Sequence, residues 1–251
     1  MDLGLRDKVA IVTGGSRGIG RSIALAFADE GCRVAICARG EEALRQTEAE
    51  LRQRGVEALA IVADVSQAGD IERLVAETVA RFGRLDALVN NAGTRAREDT
   101  DDVWDATYSS NLQAAVRATR AVVPHLRDSG TGSIVHIASI YGRESGGPVS
   151  YNAIKSAMIS HAKAMALELA PEIRVNSVAP GSVAFPGGSW GRRLEEDPKG
   201  MQRFIAENIP MGRFGTPEEI ANVVVFLCSQ QASWITGACI NVDGGQSRSN
   251  I

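Results

Sequence analysis

The chain has 251 residues, 44% hydrophobic and 23% charged, a balance that excludes a disordered or collagen-like polymer. Surface scaling lets a chain of this length bury roughly 70% of its extended surface, so a core needs no disulfide or metal staple. Lys plus Arg number 27 against 30 for Asp plus Glu, a formal charge of -3, which argues against a nucleic-acid partner.

No apolar run reaches the roughly 18 residues needed to cross a bilayer. The opening Met-Asp-Leu-Gly-Leu-Arg-Asp-Lys-Val-Ala has no basic stretch leading into a long apolar one, so no secretory leader is expected. Cys32, Cys37, Cys228 and Cys239 form no C-x-x-C pair and sit in apolar surroundings. They read as buried, reduced thiols in a cytoplasmic protein. The 3 histidines show no paired spacing, so no protein-held metal is expected.

Along the chain, short β-branched runs alternate with longer segments of helical period. The first strand, Val9–Thr13, runs into Thr13-Gly14-Gly15-Ser16-Arg17-Gly18-Ile19-Gly20 and a helix over Gly18–Glu30. A glycine turn between first strand and first helix suits a pyrophosphate. Gly14 permits the tight exit, Gly18 close approach of backbone, and Gly20 close helix–sheet packing.

The second strand, Arg33–Ala38, ends in Cys37-Ala38-Arg39-Gly40. No carboxylate stands where a ribose diol is usually read. Arg39 suits a 2′-phosphate instead, with Arg17 as a second positive charge, and NADP is favoured over NAD. Glu41 and Glu42 belong to the first turn of the next helix, Glu41–Arg54.

A strand at Ala58–Ala63, a helix at Gln67–Phe82, a strand at Ala87–Asn90 and a long helix at Asp101–Arg127 follow. The fifth strand, Ser133–Ala138, ends at Ser139, whose hydroxyl is placed to meet a substrate oxygen. The helix Ser150–Ala170 carries Tyr151 and Lys155 one turn apart on one face. A phenol acting near neutrality must lose about 3 units from its usual pKa of about 10. A neighbouring ammonium works in that direction. His136 lies within the strand and reads as packed core.

Arg174–Ala179 and Ala238–Val242 are the last strands, and the helix Pro217–Gln230 opens with Thr216-Pro217-Glu218-Glu219, an N-cap signature. Phe185–Phe214 looks like an irregular insertion. Strict alternation predicts an α/β fold: one doubly wound, seven-stranded parallel sheet with helices on both faces. An eight-stranded β/α barrel is the rival at this length.

Taken together, these stretches resemble the short-chain dehydrogenase/reductase family. The resemblance rests on Thr13 through Gly20, Asp64-Val65, Asn90-Asn91-Ala92-Gly93, Asn111, Ser139, Tyr151 with Lys155, Pro180-Gly181 and Val242-Asp243-Gly244-Gly245. It covers about residues 6–246 and implies a single Rossmann-type domain over 1–251. The implied activity moves a hydride between nicotinamide and a carbonyl or secondary alcohol, as in 3-oxoacyl-carrier reductases. Tyr151 would be the general acid/base, Lys155 its pKa-lowering partner and a ribose ligand, Ser139 the substrate-oxygen ligand, and Asn111 the support of a proton relay through water.

The resemblance also assigns cofactor contacts to Gly14, Ser16, Arg17, Gly18, Ile19, Gly20, Arg39, Asp64, Val65, Asn91, Ala92, Gly93, Pro180, Gly181 and the Val183 backbone. It implies NADP(H), with NAD(H) possible, a small-molecule substrate, no membrane partner, a homotetramer, and a mobile lid at about 185–214. An NAD-linked alcohol or sugar dehydrogenase and a non-catalytic dinucleotide sensor are the alternative readings. Two departures stand out. Ser139 and Tyr151 are 12 positions apart, one fewer than is commonest in the family, and Phe185 replaces a frequent threonine, which places it at the border of a substrate pocket.

Overall fold

Strand β1 (Val9–Thr13) is buried at every position. Val9 and Ile11 enter one apolar layer while Ala10 and Val12 enter the other. Continuous burial of this kind follows when helices cover both faces of a parallel sheet. In this computed structural model, which describes residues 1–250, six further strands join β1. They are β2 (Arg33–Ala38), β3 (Ala58–Val62), β4 (Ala87–Asn90), β5 (Gly132–Ile137), β6 (Ile173–Pro180) and β7 (Cys239–Val242), in the order β3-β2-β1-β4-β5-β6-β7 and all parallel. Ile251, the last residue of the predicted domain, lies outside the described residues.

Val12 pairs with both Ile36 and Val89, so the exits of β1, β2 and β4 align along one edge. Chain order reverses between β1 and β4, and a crevice opens at that edge because the connections leave in opposite directions. The predicted doubly wound sheet is the observed one. The barrel is excluded, since β3 and β7 end the sheet without closing it.

The helices, in chain order, are α1 (Gly18–Asp29), α2 (Glu41–Gln53), α3 (Ala68–Phe82), α4 (Asp101–Thr107), α5 (Ala114–Ser129), α6 (Val149–Leu169), α7 (Ser189–Glu196), α8 (Pro198–Asn208) and α9 (Pro217–Cys228). One layer of the core joins Ile23 and Phe27 of α1, Leu44 and Leu51 of α2, and Val224 and Leu227 of α9. The other joins Ile71 and Leu74 of α3, Val122 and Leu126 of α5, and Ala162 and Ala166 of α6. Each large side chain so buried contributes about 1.5–3 kcal/mol before ordering costs.

Three expectations need correction. The single helix over Asp101–Arg127 is two helices joined by a π-helical stretch, Tyr108–Gln113. There the Asn111 amide inserts into the helical ladder, donating to the Thr107 carbonyl at 3.0 Å and the Thr94 carbonyl at 3.1 Å. The insertion 185–214 is not irregular, since α7 and α8 fill it. Asp197 marks the second helix by accepting from Gly200 N at 2.9 Å. Cys32, Cys37 and Cys228 are buried, but Cys239, on an edge strand, is only half-buried.

Candidate active site

A crevice of about 680 Å³ runs along the carboxyl ends of the strands. Its floor at β1 is the glycine turn. Gly14 has φ +68°, a conformation that side chains disfavour. A Cβ on Gly20 would strike the Gly14 carbonyl and the Asn91 amide, so only glycine lets α1 start this close to the turn. Helix α1 has no side-chain cap and no acid in its first turn. Its free N–H groups and dipole therefore favour an anion.

Gly14, Ser16, Arg17, Ile19 and Gly20 line the crevice as expected. Gly18 does not line it. Its φ is +52°, and a Cβ there would collide with the ring of Phe185. The space that Gly18 leaves is filled by that ring, which also packs beside Gly188.

Asn91 does more than flank the crevice. Its Nδ2 donates to the Thr13 carbonyl at 2.9 Å and the Gly14 carbonyl at 3.3 Å. The backbone N–H groups of Asn91 and Ala92 both donate to Thr13 Oγ1 at 3.0 Å. The β4 exit thereby braces the glycine turn. Gly93 is required where a Cβ would meet Asn111 Oδ1.

At the β2–β3 end, Arg39, Asp64 and Val65 line the wall. Arg17 and Arg39 are exposed, and among the described residues neither side chain has an ion-pair or hydrogen-bond partner. Glu41, the nearest acid in sequence, is engaged with Arg45 at 3.4 Å. Asp64 uses one carboxylate oxygen to accept from Ser66 N at 2.9 Å.

At the β5–β6 end stand Asn111, Ser139, Tyr151, Lys155, Pro180, Gly181 and Val183. Ser139 caps the short turn Ile140–Gly142 by accepting from Tyr141 N at 3.2 Å. Lys155 is buried, donates to the Ile137 carbonyl at 2.7 Å, and sits 5.5 Å from the Tyr151 ring centroid. Burial drives its pKa down to about 7. The Tyr151 phenol is raised above its usual value, chiefly by burial, with the Arg95 cation and the Ser139 side chain opposing. This departs from the expected lowering by Lys155. An amine that is itself desolvated offers only partial charge at neutrality, and loss of solvent around the phenol outweighs it.

Asn111 Oδ1 is buried with no hydrogen-bond partner, an acceptor left open for a small polar group. Val183 forms a bridge with Gly215, and its N–H donates to no acceptor among the described residues. These two open groups, the uncapped α1 terminus and the glycine cradle fit a dinucleotide laid along the crevice.

A family model described as enoyl-(acyl carrier protein) reductase matches residues 14–247. The chain belongs to the short-chain dehydrogenase/reductase family. It is accordingly an oxidoreductase. Among family relatives, the 3-oxoacyl-[acyl-carrier-protein] reductase of Staphylococcus epidermidis is 38% identical over 249 residues, covering 95% of this chain and 98% of that protein. L-sorbose reductase from Gluconobacter frateurii, solved with NADPH and L-sorbose, is 35% identical with a TM-score of 0.93, covering 99% and 100% of the two chains. An NAD⁺-bound xylitol dehydrogenase is 33% identical with a TM-score of 0.89, covering 96% and 99%.

Within this family member the sequence reading missed Thr94, Arg95, Ser110 and Ser189 on the crevice wall. Arg95 follows Asn-Asn-Ala-Gly-Thr directly, and a cation set against that motif was the available signal. Tyr141 and Phe185 both line the crevice, as does Trp190 from the insertion. His136 is fully buried core, as read. Burial holds its pKa down to about 3, so it is neutral and accepts from Asn90 Nδ2 at 3.1 Å while its Nε2 meets His161 Nδ1 at 3.0 Å.

Proposed function

We propose that this family member is an NADP(H)-dependent carbonyl reductase acting on a small-molecule carbonyl or the corresponding secondary alcohol. The observation that carries it is the grouping of Ser139, Tyr151 and Lys155 at one end of a crevice whose other end presents two unpaired arginines, Arg17 and Arg39.

A nicotinamide cofactor, when bound, supplies or accepts the hydride. The chain provides the rest. Tyr151, a phenol whose burial further favours its protonated form, donates its phenolic proton to the carbonyl oxygen in reduction and takes it back in oxidation. Ser139 hydrogen-bonds that oxygen and fixes its distance from the phenol. Lys155, held by the Ile137 carbonyl, stabilises the phenolate that remains and orients the nicotinamide ribose. Asn111 Oδ1 accepts from a water that returns a proton towards Lys155. Gly14, Ser16, Ile19 and Gly20 admit the pyrophosphate, Asp64 and Val65 the adenine, Ala92 and Gly93 the adjoining ribose, and Pro180, Gly181 and Val183 the carboxamide.

Arg39 and Arg17 read the 2′-phosphate. NADPH in the G. frateurii reductase agrees with this choice, and neither Glu41 nor Glu42 lines the crevice where a ribose diol would be read. Replacing Arg39 by Ala is expected to raise KM for NADPH by about ten- to a hundredfold, the worth of a charge-assisted pair, and to leave KM for NADH within twofold. An equal effect on both cofactors, or on neither, contradicts the assignment.

The segment 185–214, with α7 and α8, serves as the lid that excludes water during transfer. Trp190 stacks on Phe204 at 4.8 Å and Phe214 lies 5.2 Å from Trp190, an apolar cluster able to move as a unit. A homotetramer is supported by apolar side chains left at the surface. Trp234 is 99% exposed and Leu167 73%, and Gly237 packs near Ala166, which brings the two regions together. Free thiols throughout suit a cytoplasmic setting. No helix among the described residues is long and apolar enough to cross a membrane.

A further inference from the structure

Beyond Tyr151 the crevice carries a charge that the proposed chemistry does not use. The Arg95 guanidinium stands 5.7 Å from the Tyr151 ring centroid and 5.9 Å from that of Tyr141. Both rings line the crevice with it. Among the described residues no carboxylate pairs with Arg95 and no acceptor takes its N–H groups. The two arginines of α2, for contrast, each have an acidic partner: Arg45 meets Glu48 at 3.2 Å and Arg52 meets Glu48 at 2.7 Å.

The charge is not neutralised from nearby. Asp64 is the only carboxylate among the described crevice-lining residues, and it follows β3, at the far end of the sheet edge from β5. Glu144, on the loop after Tyr141, is occupied. It accepts from Ser247 Oγ at 3.2 Å, Arg248 N at 2.7 Å and Ser249 N at 3.0 Å. A guanidinium within about 6 Å of two phenol rings gains cation–π attraction from them and keeps its N–H donors for a planar oxyanion. Neighbouring rings also limit the rotamers that binding must freeze.

We propose that Arg95 is a substrate-binding residue that selects carbonyl compounds bearing an anionic group, a carboxylate or a phosphate, a few bonds from the reacting carbon. This rests on the reading of Tyr151 as the proton donor, since it is the closeness of Arg95 to that phenol that sets the separation of the two substrate groups. The guanidinium forms a paired hydrogen bond to the anion and so fixes which face of the carbonyl is offered to the hydride. A neutral ester of the same length leaves the fork unpaired.

The test uses matched probes: 4-oxopentanoate against its methyl ester, and dihydroxyacetone phosphate against dihydroxyacetone, each with NADPH and NADH. The wild-type protein is expected to favour an anionic member by about ten- to a hundredfold in kcat/KM, expressed mainly in KM. Whichever pair shows it identifies the anion. Arg95→Gln is expected to bring that ratio close to one, and Arg95→Lys to restore part of it. Equal rates for anion and ester, or a ratio that survives Arg95→Gln, overturns the proposal.

The same ratio is measured without turnover in Tyr151→Phe protein by the change in tryptophan emission on adding each probe. Anion-selective binding that Arg95→Gln abolishes, in a protein whose wild-type form turns over nothing, supports the anion site and overturns the reductase reading. Equal binding of anion and ester in that protein overturns the anion site while leaving the reductase reading to its own kinetics.

Discussion

Lys155, proposed as the partner of the Tyr151 phenol, is a buried group that costs stability. An ammonium removed from water loses hydration that one carbonyl hydrogen bond does not replace, and its pKa falls from 10.5 to about 7. Between those values the unfolded chain holds a proton that the native chain has released. Stability therefore rises with pH from about 7 towards 10.5, and the penalty is fully present below about 7. Lys155→Met is expected to lose this dependence. Melting temperatures of wild type and variant at pH 7 and 9 provide the check. The wild type gains on the alkaline step relative to the variant, and parallel behaviour contradicts the assignment. The Tyr151 phenol moves oppositely, upward with burial, so in the proposed reduction it starts with its proton on oxygen. Spacing alone placed both residues on one helical face. It could not weigh desolvation against charge, because burial depends on the strands and loops that close over the site.

At the scale of elements, capping chemistry was the most readable part of the chain. Thr216 through Glu219 predicted the start of α9, and the Glu219 carboxylate does accept from Thr216 N at 2.9 Å while also binding Arg213. These donors hold its pKa down to about 2. Glu219→Ala is expected to cost about 1 kcal/mol, seen as a fall in Tm of about 2–4 °C for a protein this size. That loss is expected to shrink as pH drops from about 4.5 towards 2 and the wild-type carboxylate is itself protonated. An unchanged Tm at pH 7 contradicts the cap. Less readable were α7 and α8. Pro186-Gly187-Gly188 reads as a breaker, and α7 is a short helix with only Gly191 buried, so it left little apolar period to detect. The π-helical stretch around Asn111 was equally hidden. Its cause is a side chain bonding to the Thr94 carbonyl, 17 residues away, which no local pattern reports.

For the whole molecule, the apolar runs predicted the doubly wound sheet because every central strand is covered twice. Ile11 and Val12 point to opposite layers, yet both are fully buried. The observed strand order is one that right-handed connections allow, and it makes the crevice that collects Gly14, Asn91, Ser139 and Tyr151 from distant parts of the chain. What sequence did not display was the pocket's electrostatics. Arg39 was legible at the end of β2, but Arg95 became notable only when no acid was found beside it. Trp234 is likewise an exposed tryptophan with no role inside one chain. If the proposed tetramer uses this surface, Trp234→Arg is expected to shift the sedimentation mass towards dimers or monomers, with the monomer fold retained by circular dichroism. A variant that sediments as the wild type contradicts the use of that surface in assembly.

The central claim is that the Tyr151 hydroxyl carries the proton in carbonyl reduction. Its most direct test is Tyr151→Phe, with kcat for a reducible carbonyl measured beside the affinity for NADPH. Removing one oxygen atom is expected to lower kcat by about a hundred- to ten-thousandfold while the dissociation constant of NADPH stays within a few-fold of wild type. Turnover close to wild type, with the cofactor still bound, would show that another group delivers the proton.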